Sequence, residues 1–122
     1  MIEYREGVTS WYHLMKTIME NSSLKIPFED CSHFLCQTLE RCVEVYKDGQ
    51  LAGYALIINI NGLRTFHGYK LIPGNSISAF RFARKILKDY PEAEIHTTDD
   101  KRQVIRMAKM LGVKTRILCL QK

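Results

Sequence analysis

No stretch of this chain approaches the roughly 20 consecutive apolar residues that a helix needs to cross a bilayer, so no membrane span is expected. The opening residues Met1-Ile2-Glu3-Tyr4-Arg5-Glu6 lack the basic-then-apolar order of a secretory signal, and a cytoplasmic protein is the simplest expectation. None of the four cysteines forms a Cys-x-x-Cys pair, and the spacing of Cys31 and Cys36 around His33 fits no common zinc site. Cys31, Cys36 and Cys42 sit among apolar residues and read as small core hydrophobes, so neither metal nor disulfide is expected. Internal repeats, linkers and low-complexity tracts are also missing, and 122 residues suit a single domain over residues 1–122.

What is present is a clear order of elements. From Thr9 to Glu20 the residues Trp11, Leu14, Met15, Ile18 and Met19 recur at helical spacing, with Thr9 or Ser10 as cap and Trp11 directed to the core. A second helix is expected from a cap at Asp30 or Ser32 to about Arg41, with Phe34, Leu35, Thr38 and Leu39 inward. Strands follow at Val43 to Tyr46 and Leu51 to Ile60, split by the hairpin pair Asp48-Gly49. After Asn61-Gly62 a third strand runs from Arg64 to Ile72, with Thr65, His67 and Tyr69 on one face. A helix capped at Asn75 or Ser76 ends at Asp89-Tyr90-Pro91; a strand covers Glu94 to Thr98. A fourth helix, capped at Thr98, Asp99 or Asp100 and stopped by Gly112, buries Val104, Ile105, Met107, Ala108 and Leu111. The last strand runs from Thr115 to Leu120.

Two segments carry a family likeness: Asp48-Gly49-Gln50-Leu51-Ala52-Gly53-Tyr54-Ala55, and Ile105 to Val113 with its Leu111-Gly112 step. In this order they resemble the GNAT (Gcn5-related N-acetyltransferase) superfamily, and the second also resembles small acyltransferase-like proteins of short-tailed bacteriophages, including internal virion proteins. The resemblance implies an α/β (α+β) domain with about four helices and a mixed, mostly antiparallel sheet of five or six strands. It also implies that acetyl-CoA enters where the sheet splays, lined by Leu71, Ile72, Gly74, Asn75, Ser76, Ser78 and Ala79.

The departures from the family pattern bear on activity. Pro73-Gly74-Asn75-Ser76-Ile77-Ser78-Ala79 supplies one early glycine and a helix start where the family has a basic residue and further glycines around the CoA pyrophosphate. The tyrosine that protonates the leaving thiolate in many relatives falls at Ala108, leaving Tyr69, Tyr54 or Cys119 as substitutes. These gaps favour a GNAT-fold protein with a degenerate acetyl-CoA site and a binding or structural role toward a protein partner, and the second resemblance implies a phage origin. The alternative is a small acetyl-CoA-dependent N-acetyltransferase acting on an amine.

For that alternative the candidate chemical groups are His96 and Glu29 as bases, and Tyr69 paired with His67 on one strand face. Glu29 and Asp30 also suit a helix start, and His96 also suits packing. The net charge of +5 permits attraction to CoA phosphates, acidic proteins or nucleic acid. Arg81, Arg84, Lys85, Lys88, Lys101, Arg102, Arg106 and Lys109 would serve a nucleic-acid binder. With Asp89, Glu92, Glu94, Asp99 and Asp100 interspersed, they read instead as a solvated face.

Overall fold

The computed structural model describes residues 2–22, 25–72 and 76–120, the side chains of residues 76–78 excepted. Its elements are β1 (Ile2–Glu6), α1 (Trp11–Asn21), α2 (Phe28–Thr38), β2 (Leu39–Lys47), β3 (Gln50–Ile60) and β4 (Leu63–Lys70). They continue with α3 (Ser76–Lys88), β5 (Ile95–Thr98), α4 (Arg102–Leu111) and β6 (Thr115–Leu118). Strands β1 to β4 form an antiparallel sheet in chain order, and β5 pairs with β6 in parallel. One parallel bridge, Thr65 with Glu94, joins the two sheets.

Local chemistry explains most of these boundaries. Asp48-Gly49 and Asn61-Gly62 both take positive φ, the conformation that lets a two-residue loop match the right-handed twist of its strands. Ser10 caps α1 by accepting the His13 N–H at 3.2 Å, and Gly112 stops α4 in the left-handed region at φ 70°. The first strand, β1, was not signalled by the sequence: it is a short, exposed edge with three charged residues among five.

Strand β3 is covered on both faces. Tyr54, Leu56 and Ile58 meet Leu14 and Met15 of α1 and Cys31 and Leu35 of α2; Ala55 and Ile57 meet Phe66, Ala83, Ile86 and Ala108 on the other side. The sheet is therefore sandwiched between α1/α2 and α3/α4.

Several expectations need correction. Helix α2 starts one turn early, with Pro27 at its cap position and Glu29 and Asp30 inside its first turn, because proline fixes a φ that suits a helix start. It ends at Thr38 rather than Arg41, and it buries Cys31 and Leu35 while Phe34 is 44% exposed. Trp11 is 48% exposed at the first helical residue, before α1 has turned onto the sheet. Cys36 is exposed, unlike Cys31 and Cys42. Lys101 occupies the cap of α4 without a side-chain bond, since Thr98 donates to Asp100 instead, and Val104 is exposed.

A buried carboxylate fixes the entry to α1. Glu44 on β2 is 1% exposed and accepts from the Thr9 N–H at 2.9 Å, the Thr9 hydroxyl at 2.6 Å and the Tyr46 hydroxyl at 3.0 Å. Burial alone would push its carboxyl up, but these donors hold it below the ordinary range. Glu44→Ala would strand three donors and open a cavity, so urea titration should show a loss of about 3 kcal/mol, with Glu44→Gln losing less than half of that.

Candidate active site at the parting of β4 and β5

The sheet opens immediately after the bridge. Phe66 N–H donates to the Glu94 carbonyl and Glu94 N–H to the Arg64 carbonyl, each at 2.9 Å, and beyond this point β4 pairs only with β3. Antiparallel strands alternate the side to which their backbone groups point. The alternation that sends the Phe66 N–H to β5 also aims the Gly68 N–H into the gap.

Residues of both strands border that gap. His67 on β4 is near enough to His96 on β5 for the two charges to interact, and its Nε2 shares a 2.9 Å hydrogen bond with the Thr65 hydroxyl. Burial, helped by the nearby His96 charge, lowers the His67 ring to about 4. Tyr69 stands two residues along on the same face, against Cys31 of α2, and burial raises its phenol to about 12. It is a proton donor at any physiological pH.

His96 is oriented from below. Its Nε2 lies 3.0 Å from Glu94 Oε1, which also accepts Arg116 Nε at 2.9 Å, while Lys114 Nζ is 3.7 Å from the other oxygen. Hydrogen bonds from His96 and Arg116 hold the Glu94 carboxyl down at about 2, so it can only accept. The proton between them therefore sits on His96 Nε2, and in the neutral ring Nδ1 is the free base.

The other expected residues fall elsewhere. Glu29 is exposed in the first turn of α2, a helix that packs on α1, β2 and β3, so the structure does not bring it to His96. Tyr54 is buried with its hydroxyl 2.7 Å from His13 Nδ1, and Cys119 is exposed beyond β6. Of the expected cofactor residues, Leu71, Ile72 and Ala79 are partly buried; Gly74 and Asn75 lie outside the described residues, as do the side chains of Ser76 and Ser78. Ala108, where the resemblance implies a tyrosine, is 0% exposed in the core under α3. Among the described residues no cluster of His, Cys, Asp or Glu could hold a metal ion. His13 and the Glu94–Arg116 clamp carry no sequence signal of their own, because the contacts that define them span 41 and 22 residues.

The His67 environment gives a pH test. An unfolded histidine titrates near 6.5 and the folded one near 4, so the unfolded state binds more protons between these values. Stability should be intact above pH 6.5 and fall as pH drops toward 4, by about 2 kcal/mol after discounting for partial exposure of the ring. Thermal melts across that window should show the decline, and His67→Gln should flatten it.

Comparison with known structures gives the class of fold. The chain is similar to AAC(6')-Iy, solved in complex with the bisubstrate analog CoA-S-monomethyl-acetylneamine, with a TM-score of 0.60 at 14% sequence identity over 100% of this chain and 98% of that one. It is also similar to a ribosomal-protein-alanine N-acetyltransferase from Brucella melitensis biovar Abortus 2308, at a TM-score of 0.49 and 13% identity over 98% of this chain and 81% of that one. No protein-family model matches the sequence, and no curated protein does. The architecture is the GNAT fold: four helices around a mixed sheet that parts between two parallel strands.

Proposed function

We propose that the chain binds acetyl-CoA in the gap between β4 and β5 and transfers the acetyl group to an amine. The observation that carries this reading is the Thr65–Glu94 bridge, after which β4 and β5 part, with His67 and Tyr69 on one face of β4 and His96 on β5 near enough to act on His67. The fold shared with a structure holding a CoA-based analog supports it. When bound, the cofactor supplies an acyl group activated as a thioester.

The rest is the work of this chain's own groups. Leu71, Ile72 and Ala79, partly buried on either side of the crossover to α3, would hold the cofactor. The Gly68 N–H, aimed into the gap, polarises a carbonyl placed there. His96 Nδ1 takes a proton from the acceptor amine while Glu94 and Arg116 hold the ring in one orientation. Tyr69, kept protonated by burial, stands on the same strand face to return a proton to a leaving thiolate.

A thermal-shift titration tests binding: acetyl-CoA at 100 times its dissociation constant adds about 2.7 kcal/mol of stability, and no shift at millimolar concentration sinks the proposal. Thiol release with a panel of amines then tests transfer. Binding without release would support the second reading, a non-catalytic binding protein, which the buried Ala108 favours. In that reading the likeness to phage-encoded proteins points to a virion or host-factor partner.

A further inference from the structure

The cations of this molecule divide into two groups. Outside α3 and α4, the four arginines each have a carboxylate partner: Arg5 with Glu3, Arg41 with Glu6 and Asp89, Arg64 with Glu40, and Arg116 with Glu94. On α3 and α4 the other four, Arg81, Arg84, Arg102 and Arg106, are all exposed, and among the described residues none pairs with an acid. Lys88 and Lys109 are in the same position, and Lys85 lies 5.0 Å over the Tyr4 ring.

Two of the acids that the sequence places nearby are engaged by cations outside the two helices. Asp89 turns to Arg41 at 3.1 Å, and Glu94 is held by His96, Lys114 and Arg116. Asp99 accepts from the Leu120 N–H at 3.3 Å and Asp100 from the Thr98 hydroxyl. The two helices contain seven Lys and Arg and no Asp or Glu. The rest of the chain then has eleven bases against thirteen acids, so the whole positive excess resides in one layer. The face is solvated, as the sequence suggests, and the two helices that carry it contain bases without acids.

The layer is also ordered. Arg81, Arg84, Lys85 and Lys88 follow the i, i+3, i+4, i+7 spacing of one helical stripe, and Arg102, Arg106 and Lys109 follow i, i+4, i+7. At 1.5 Å per residue each stripe is about 10 Å long. The helices contact each other, and packed helices lie about 8–10 Å apart. Between their C-terminal halves a cleft of about 490 Å³ is lined by Arg84, Lys88 and Lys114 together with Glu92 and Glu94, so the cationic surface is the exposed stripes and not this cleft. Double-stranded DNA carries one phosphate per 1.7 Å of axis, hence about six over 10 Å. Seven cations on two short stripes match that charge density. Beside them Tyr4 and Phe82 stack at 4.8 Å.

We propose that the α3/α4 face binds the phosphate backbone of double-stranded nucleic acid without sequence selectivity. This does not depend on acetyl transfer, and its test uses no cofactor. Fluorescence anisotropy of the full chain with a labelled 20-bp duplex should give a log–log salt slope of about −5, and so about 10³-fold weaker binding at 200 mM salt than at 50 mM. The double variants R84E/K88E and R102E/R106E change only exposed side chains. Each should weaken binding at least tenfold with unchanged circular dichroism, while K16E on α1 should leave it unaltered. A slope shallower than −1, or both double variants within threefold of wild type, overturns the proposal. So does displacement of the duplex by polyglutamate as readily as by unlabelled DNA, which would assign the face to an acidic protein. Displacement by acetyl-CoA would assign its cations to the cofactor's phosphates and overturn it equally.

Discussion

Alanine at Gly53 is expected to lower the thermal unfolding midpoint by roughly 10 °C. A Cβ built at Gly53 would stand 2.5 Å from the Tyr69 carbonyl oxygen and 3.7 Å from the Lys70 Cα. The obstructing atoms are backbone, so no rotamer change relieves the overlap and β3 must draw away from β4. That would break the end of the ladder, including the Leu71 N–H bond to the Ala52 carbonyl at 2.9 Å. Overpacking plus lost pairing amounts to about 3 kcal/mol, and about 4 °C per kcal/mol applies to a chain of this size. Gly68→Ala is the control, since its Cβ would meet only the Phe66 ring at an ordinary 3.6 Å. A Gly53→Ala protein melting within 2 °C of wild type would show that the strands do not approach so closely. Because Tyr69 and Lys70 form one wall of the gap, the same variant should also bind acetyl-CoA more weakly.

His96→Gln should reduce acetyl transfer by a factor of 10² to 10⁴, the usual range for a positioned base. Glutamine keeps a donor for Glu94 and a similar reach, but it has no nitrogen that accepts a proton near neutral pH. The stabilisation by acetyl-CoA should persist, because the binding wall is β4. If the variant retains more than half of the wild-type rate, the base lies elsewhere and His67 is the next residue to replace.

Much of the backbone plan could be read from single residues. Asp48-Gly49, Asn61-Gly62 and Gly112 mark places where only a few residue types tolerate the required φ, and each stands where the chain turns. The alternating faces of β4 were equally plain, with Phe66 toward α3 and Tyr69 toward α1 and α2. Helical spacing was a weaker guide to burial. Trp11 and Phe34 fit an apolar stripe yet stay exposed, while Leu14 and Leu35 on the same helices are buried.

The site was legible by residue type and not by arrangement. His67, Tyr69 and His96 were candidates on chemistry alone. Which of them border the gap depends on where β4 and β5 stop pairing, which is a property of two segments nearly 30 residues apart. The direction in which Asp89 and Glu94 turn was likewise hidden, since their partners Arg41 and Arg116 lie 48 and 22 residues away.

The narrow join at Thr65 and Glu94 has a mechanical consequence. Two backbone hydrogen bonds and the side chains beneath them are the clasp between a four-strand half and a two-strand half. Under a pulling force, that seam is the natural tear line. A molecule wedged between the halves with contacts to both would act as a rivet, turning two plates with a weak weld into one.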